Sequence, residues 1–366
     1  MTTRRDFLKT GVGAAAGIAF CNCGLLQGAH AQQQPTRQKL PVSVNGKRVK
    51  TIDVHSHCVI PEATALLGED GAKAVLPKVR GADEVVIKLD QRLAAMDAQA
   101  VDMEVLSINP FWYDKERDLA AQIVKIQNEK LAEFCASKSD RFAGFASLTL
   151  QAPDLAVEQL ETAVKKQGLK GAAIGGKVVD MPFSDPKFHP VWAKAEELGV
   201  PLFIHPLGIA QLSKLAAGNG WLSNAIVYPE ETSLALAHLI FEGTFDKFPG
   251  LKIIAAHGGG FLPSYADRID HSCLVSPMNC NPDIKLKKQP SEYLKQIYFD
   301  SLVFTPEAIR HLVAQVGASQ LVLGSDYPFP WQLQPVDHIF ACTSLSDDEK
   351  ADILGRTAAK LVNVQA

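Results

Sequence analysis

The sequence lacks any Cys-x-x-Cys unit and any block of basic residues. Without closely paired cysteines, a structural zinc site built from thiolates is not expected. Lys and Arg number 37 against 40 Asp and Glu, which gives a formal net charge of −3 and no positive surface of the kind that binds nucleic acid. A small-molecule partner is therefore the expectation for this chain.

Cysteine is also scarce, with seven in 366 residues. Those beyond residue 31 are Cys58, Cys135, Cys273, Cys280 and Cys342. An odd number at irregular spacing argues against a disulfide framework. Cys273 and Cys280 are close enough in the sequence to pair within one loop, and the sequence leaves this pairing open.

The first 31 residues have the order of an export signal. Two arginines at positions 4 and 5 precede an apolar stretch of small residues, and Ala29-His30-Ala31 is typical of a cleavage site. We expect export to the periplasm by the twin-arginine pathway, with cleavage near Ala31. Residues 32–50 are predicted to be a polar linker, and no membrane association is expected beyond export.

Eight short apolar runs alternate with amphipathic stretches along most of the remaining chain. The runs cover residues 52–57, 103–108, 142–148, 171–176, 201–205, 252–257, 296–301 and 321–326. Strand and helix repeated eight times predict an α/β fold, a (β/α)8 TIM barrel in one domain over residues 51–366. An open doubly wound sheet would need a glycine-rich turn after the first strand, where this chain has His-Ser-His.

Four of these runs carry, at their carboxyl ends, side chains that can bind a metal. His55 and His57 are two residues apart on one strand, so both can face the barrel interior. His205 ends the fifth run before a proline, and Asp326 ends the eighth. Because the carboxyl ends of barrel strands form the active site, these residues predict a site for one divalent ion with a position open for substrate.

His257 begins a His-Gly-Gly-Gly turn in which the backbone can approach a ligand closely. It is either a further metal ligand or a neutral general base. The second role is preferred, because imidazole side chains exchange protons near neutral pH. Lys177 lies beyond two glycines at the end of the fourth run, which disfavours a carbamylated lysine bridging two ions.

Three arginines are candidates for binding a substrate carboxylate, because a planar guanidinium holds a carboxylate through two hydrogen bonds. They are Arg80, Arg92 and Arg268. The histidines away from strand ends are predicted to be structural, and among them His238 is the one to examine.

At IDVHSH (52–57), FIHP (203–206), AAHGGG (255–260) and GSDYPFP (324–330) the chain resembles the amidohydrolase superfamily. Within it, the chain resembles the metal-dependent decarboxylase group that includes aminocarboxymuconate semialdehyde decarboxylase. The resemblance extends from about residue 52 to the C-terminus and implies a barrel of the metal-dependent hydrolase type.

The resemblance also implies a cofactor, which is one divalent ion, zinc or alternatively manganese. The metal ligands that it implies are His55, His57, His205 and Asp326. His257 matches the catalytic histidine of the family. Arg268 matches an arginine that binds the substrate carboxylate across a homodimer interface.

These features predict a metal-dependent decarboxylase that acts on a small unsaturated or aromatic carboxylic acid. A hydrolase of a lactone, amide or related ester on the same fold is the alternative, and a noncatalytic binding or metal-storage protein is a third possibility. His257 moves the proton in an aminocarboxymuconate-like reaction, and Asp326 moves it in a hydroxybenzoate-like or hydrolytic one. Leu207 stands where the family has a tryptophan, so the substrate stays open.

Overall fold

The computed structural model describes residues 37–216 and 222–365. The predicted export signal lies outside the described residues. The compact unit is Gln38–Ala366. In the predicted linker, Ser43–Val44 (β1) pairs antiparallel with Lys47–Arg48 (β2), so this segment is partly folded. The two residues between them, Asn45 and Gly46, both have positive φ, as a two-residue hairpin turn requires.

The remaining strands of the described chain are all parallel to their neighbours. They are β3 (Ile52–His57), β4 (Met103–Ser107), β5 (Phe142–Gly144), β6 (Ala172–Ile174), β7 (Pro201–Ile204), β8 (Lys252–Ala255), β9 (Ile297–Asp300) and β10 (Leu321–Val322). Each lies within one of the eight predicted runs. The sequence therefore located these strands correctly, although most of them end earlier than the apolar run does.

The strands form two sheets that join into one barrel. β3, β4 and β5 are adjacent in one sheet, and β6 to β10 are adjacent in the other. Single bridges connect the sheets on both sides, from Asp53 to Leu323 and Ser56 to Tyr327, and from Ala146 to Ala172. The predicted (β/α)8 barrel is confirmed.

The α-helices described by the structure are α1 (Pro61–Thr64), α2 (Gly68–Val75), α3 (Leu89–Ala98), α4 (Arg117–Ser137), α5 (Pro153–Lys165), α6 (His189–Leu198), α7 (Ala210–Leu215), α8 (Tyr228–Phe241), α9 (Thr244–Lys247), α10 (Ala266–Val275), α11 (Pro290–Tyr293), α12 (Pro306–Val316), α13 (Pro335–Ala341), α14 (Asp347–Ala351) and α15 (Thr357–Leu361). None of these helices is both long and apolar enough to cross a bilayer.

Helix α12 illustrates why the sequence folds in this way. Thr305 caps its first turn by accepting a hydrogen bond from the Ala308 N–H, and Pro306 occupies the first helical position, where no N–H is needed. Ile309, Leu312 and Val316 recur at helical spacing and are buried. This apolar stripe fixes the helix against the barrel wall.

The buried apolar side chains form two clusters, one on the outer side of the strands and one inside the barrel. The larger cluster lies between the strands and the helices. The smaller one, here named the apolar floor, consists of Ile52, Val54, Met103, Val105, Ala143, Phe145, Ala173, Phe203, Ile254, Ala256, Val322, Ala358, Ala359, Leu361 and Val362. Its strand members alternate along each strand, as interior-facing residues must. The C-terminal helix α15 closes this end of the barrel.

The first barrel strand breaks its own alternation. Ile52 and Val54 belong to the apolar floor, so strict alternation would turn His55 and His57 outward. The pairing of β3 with β4 shifts register between Asp53 and Ser56, as a β-bulge does. The bulge returns both histidines to the interior, immediately above the floor.

Candidate metal centre

Five side chains meet at the carboxyl ends of the barrel strands. Ligand atoms of His55, His205, His257 and Asp326 all lie within 4.8 Å of one another. His57 completes the group, since its Nε2 lies 3.0 Å from His55 Nε2 and 2.9 Å from Asp326 Oδ1. The sequence predicted all five, and the structure brings them together as one cluster, which we call the five-residue cluster.

Two members depend on unusual backbone geometry. His257 follows β8 with φ 56°, and Asp326 follows β10 with φ 65°. Left-handed backbone is costly for residues other than glycine, so surrounding contacts must hold it. Asp326 donates its N–H to the His55 carbonyl oxygen at 2.8 Å, which ties the last barrel strand to the first. The chain therefore stores backbone strain at the residues that form the site.

Three of the imidazoles have the same arrangement. The Nδ1 of His55 lies 2.5 Å from Asp300 Oδ2, that of His57 lies 3.2 Å from the Ser107 hydroxyl, and that of His205 lies 2.9 Å from a carbonyl oxygen. An Nδ1 that is engaged outside the cluster leaves Nε2 as the atom that can bind a cation. His257 differs, because its buried Nδ1 has no partner and its Nε2 lies 3.7 Å from Asp326 Oδ2.

Burial and mutual charge decide the protonation of the cluster. Burial lowers the pKa of His57 to about 4, and it also lowers the pKa of His205 well below its usual value. Burial acts to raise the pKa of Asp326, but the neighbouring imidazoles, His55 first, outweigh it and hold that pKa well below its usual value. Burial also acts to lower the pKa of His55, but the Asp326 and Asp300 carboxylates outweigh it and raise that pKa to about 10. At neutral pH the centre without an ion therefore contains the Asp326 carboxylate, the neutral imidazoles of His57 and His205, and a protonated His55.

These residues fit a single divalent ion. The buried His205 Nε2 has no hydrogen-bond partner, and Asp326 Oδ1 faces the Nε2 atoms of His57 at 2.9 Å and His55 at 3.3 Å. Buried polar atoms are nearly always satisfied, so an unpaired ring nitrogen beside a carboxylate and further imidazoles needs a ligand. Imidazole nitrogen with one carboxylate is a donor set typical of catalytic divalent sites. The protein binds one divalent metal at this end of the barrel.

Beneath the cluster lie buried ionisable groups that sequence reasoning missed as site residues. Asp53 accepts hydrogen bonds from the N–H of His55 at 2.9 Å and from the hydroxyl of Ser325. Burial, with the Glu104 carboxylate nearby, raises the pKa of Asp53 to about 7. Asp300, at the end of β9, contacts His55. A charged residue inside an apolar strand run was the signal in the sequence that could have identified both.

Arg92 was a candidate for binding the substrate carboxylate, and the structure overturns this. Its side chain is buried, with Nε 2.6 Å from Glu104 Oε2 and one terminal nitrogen donating to the His57 carbonyl oxygen at 3.0 Å. The guanidinium also lies over the Tyr327 ring, 4.3 Å from its centroid. Arg92 therefore stabilises the carboxyl end of β3 through its hydrogen bond to the His57 carbonyl oxygen. Arg80 is exposed.

The structure does not place Arg268 in the cluster. It lies on α10 and lines a surface groove of about 800 Å³ with Tyr265, Ile269 and Val275, and no member of the five-residue cluster lines that groove. The exposed residues Leu274, Val275 and Met278 continue this surface.

Other sequence candidates also lie outside the cluster. His238 Nδ1 lies 2.6 Å from Glu242 Oε1 on the surface of α8. The Lys177 ammonium lies 3.7 Å from a carboxylate oxygen of Asp180. Cys280 is disulfide-bonded, while the side chain of Cys273 is outside the described part of the structure. Cys58, Cys135 and Cys342 are free and buried.

The mouth of the site is formed by loops. The Phe329 ring lies 5.6 Å from the His57 ring and is half-buried. Leu207 begins the loop after β7, and its N–H donates to the carboxylate of Glu231, which also accepts the N–H groups of Gly176 and Gly208. One buried carboxylate thus holds two loops of the mouth.

Comparison with known proteins identifies related sequences. Residues 52–364 match the sequence profile of a family described as amidohydrolase. The 2-amino-3-carboxymuconate-6-semialdehyde decarboxylase of Dictyostelium discoideum is 32% identical over 281 residues, covering 75% of this chain and 76% of that protein. The gamma-resorcylate decarboxylase of Rhodococcus jostii is 31% identical over 288 residues, covering 74% and 85%.

A similar solved structure adds a bound metal to this comparison. The dihydroxybenzoic acid decarboxylase of Polaromonas sp. JS666, with manganese and the inhibitor 2-nitroresorcinol, superimposes with a TM-score of 0.73. The two chains are 26% identical, and the match covers 86% of this chain and 97% of the other.

Proposed function

Because the chain belongs to the amidohydrolase family, and within it to the metal-dependent decarboxylases, we propose that its substrate is a small conjugated carboxylic acid, either a hydroxybenzoate or a muconate-like acid. The protein is an enzyme, a carboxy-lyase, and the predicted decarboxylase class is confirmed. The observation that carries the substrate proposal is the five-residue cluster beside the Phe329 ring, which offers an aromatic wall to a planar acid.

His55, His57, His205 and Asp326 hold the ion in this proposal. The engaged Nδ1 atoms of the three histidines support this assignment, because they leave three Nε2 atoms for the ion. When bound, a divalent ion supplies Lewis-acid chemistry by polarising and fixing the substrate's oxygen atoms.

The remaining chemistry is a proton transfer. Decarboxylation breaks the bond between a substrate carbon and its carboxylate, releases CO2, and places a proton on that carbon. Asp326 Oδ2 and His257 Nε2, 3.7 Å apart, form a pair that can hold and pass this proton. The unpartnered Nδ1 of His257 supports its role as a proton carrier rather than a ligand.

A substrate panel tests this function. Metal-loaded mature protein is incubated with hydroxybenzoates, muconate-type acids and lactones, and the products are identified by mass spectrometry. Loss of CO2 from an aromatic or conjugated acid is expected, and the Asp326→Asn protein serves as the control. Gain of water by a lactone, without loss of CO2 from any acid, would move the protein to the hydrolase alternative.

Zinc is the resident ion in our proposal. Three imidazoles with one carboxylate form a nitrogen-rich donor set that suits zinc, whereas the Polaromonas relative contains manganese. Elemental analysis of the protein, purified without added metal, is the measurement. One zinc per chain is expected, and one manganese per chain would contradict the proposal.

The active assembly is a homodimer in which Arg268 reaches the substrate of the other subunit. The position of Arg268 in a surface groove bordered by exposed apolar residues supports this arrangement, because such patches mark interaction sites. Closed two-fold dimers are also the commonest oligomers.

Mixing two inactive variants tests the shared site. Arg268→Ala and Asp326→Asn proteins are unfolded, mixed and refolded together. If Arg268 acts across the interface, each mixed dimer has one intact site, and about a quarter of wild-type activity returns. If Arg268 acts within its own subunit, the mixture stays inactive.

The protein is exported to the periplasm by the twin-arginine pathway, with cleavage near Ala31. The order of the arginine pair, the apolar stretch and the Ala-x-Ala site supports this. Cell fractionation should find the cleaved protein in the periplasm, and exchange of both arginines for lysine should retain it uncleaved in the cytoplasm. Periplasmic protein from the lysine variant would contradict the route.

A further inference from the structure

Asp300 is a fully buried carboxylate that no step of the proposed reaction uses. It ends β9, on the barrel strand next to β8 and β10. Its two oxygens accept hydrogen bonds from partners on two sides. Oδ2 faces the Nδ1 of His55 at 2.5 Å and the N–H of His257 at 2.9 Å, while Oδ1 accepts the N–H groups of Gly258 at 2.8 Å and Leu302 at 3.1 Å.

The contact with His55 fixes which nitrogen can bind a cation. A carboxylate accepts but cannot donate, so Nδ1 of His55 carries the hydrogen. Its Nε2 is then the nitrogen that can bind the ion, and it lies 3.0 Å from His57 Nε2 and 3.3 Å from Asp326 Oδ1, at the centre of the cluster. Carboxylate partners of this kind orient metal-binding histidines and raise their basicity.

The contacts with the turn after β8 fix the position of His257. Residues 257–260 all have positive φ. This backbone conformation is unfavourable for His257 alone, because the other three residues are glycines without a Cβ. Asp300 accepts the N–H groups of the first two residues of this turn. The same carboxylate therefore holds a metal-facing histidine and the backbone of the proton-carrying histidine.

We propose that Asp300 is a positioning residue that sets the geometry of His55 and His257 together, so that metal binding and proton transfer depend on one buried carboxylate. This inference rests on the metal site of the proposed function. It does not depend on which acid is the substrate.

Asp300→Asn tests the coupling. Each oxygen of Asp300 accepts two N–H groups, so whichever position the new amide NH2 takes, it faces donors. Facing His55, it favours the imidazole form in which Nε2 carries the hydrogen and cannot bind the ion. We expect metal affinity, measured by competition with a chromophoric chelator, to fall about 10- to 100-fold. In the cobalt-substituted protein, the visible absorption bands should shift.

Asp102→Asn is the matched control. Asp102 also accepts a backbone N–H, that of Thr51 at 2.8 Å, but at the opposite end of the barrel. Its replacement should change metal affinity and the cobalt spectrum no more than twofold. If Asp300→Asn lowers thermal stability but leaves metal affinity and the cobalt bands as in the control, Asp300 is merely structural and the proposal is wrong.

A measurement on the unmodified protein keeps the proposal testable if Asp300→Asn does not fold. In zinc-loaded protein labelled with nitrogen-15 histidine, the His55 resonances, assigned by their loss from His55→Gln, should show a protonated Nδ1. A protonated Nε2 would overturn the proposal. Weaker metal binding by Asp300→Asn supports the inference even if the substrate panel yields no CO2, whereas CO2 release with unchanged metal binding defeats only the inference.

Discussion

The apolar floor and the five-residue cluster lie in the same barrel interior and share several strands, yet they differ in polarity and in backbone geometry. The floor is a layer of mostly aliphatic side chains with Phe145 and Phe203 among them, and the cluster above it is polar. The Phe203 ring marks the boundary, 5.0 Å from the His55 ring.

What separates the two layers is a set of departures from regular strand geometry. The bulge in β3 turns two histidines inward, and positive φ values at His257 and Asp326 turn two further side chains toward the centre. The floor follows strand alternation and needs no such device. The difference indicates that stability resides mainly in the regular layer and chemistry in the irregular one.

Asp326→Asn changes the polar cluster and leaves the apolar floor intact, and we expect it to have the largest effect on activity. In the proposed function Asp326 is both a metal ligand and a proton carrier, so loss of its carboxylate should lower kcat/KM for the best acid of the panel about 10²- to 10⁴-fold. Thermal unfolding should shift little, since the residue adds no apolar packing. Turnover at the wild-type rate would remove Asp326 from both roles.

Ile254→Ala examines the other layer and should show the opposite pattern. Ile254 is fully buried in the apolar floor, paired with Phe203 on the neighbouring strand. Its truncation should lower the free energy of unfolding by about 2–5 kcal/mol, measured by urea denaturation. Metal content per folded chain should stay at the wild-type value, and loss of metal at full foldedness would show that the layers are not separable.

Gly258→Ala breaks the irregular layer at its backbone. Gly258 has φ 62°, and an added Cβ would lie 2.7 Å from Val303 Cγ1. Gly46→Ala is the control, because Gly46 has φ 72° with open space around it. Both should lose about 1–2 kcal/mol of stability from left-handed backbone. Only Gly258→Ala should also lower kcat, about tenfold, because it displaces His257. Equal kcat values for the two variants would contradict this assignment.

The same contrast explains which features of the fold and of the site could be predicted from the sequence. Strand order was predicted correctly, and the five residues predicted at strand ends lie together in the structure, because apolar runs and their polar ends are local patterns. The sequence predicted that both histidines of β3 can face inward, but it did not predict the bulge that makes this compatible with the inward-facing residues 52 and 54, because the bulge depends on pairing with β4. Asp300 was missed, and Arg92 was taken for a substrate-binding candidate. The role of a buried charge depends on partners distant in the chain, which the sequence alone does not show.

Glu231→Gln tests whether the irregular layer extends to the loops of the mouth, and its effect should be the smallest. The buried carboxylate accepts backbone N–H groups from Gly176, Leu207 and Gly208. Glutamine keeps one acceptor oxygen but turns a donor toward one loop, a change of about 1 kcal/mol that should raise KM about fivefold and leave kcat nearly unchanged. Glu196→Gln is the control, since Glu196 accepts the Gly250 N–H on a loop outside the site. We expect the Glu231 carboxylate to act on these loops and not on the ion, so metal affinity should not change. A fall in kcat with KM constant would instead place Glu231 with the residues that hold the reacting groups.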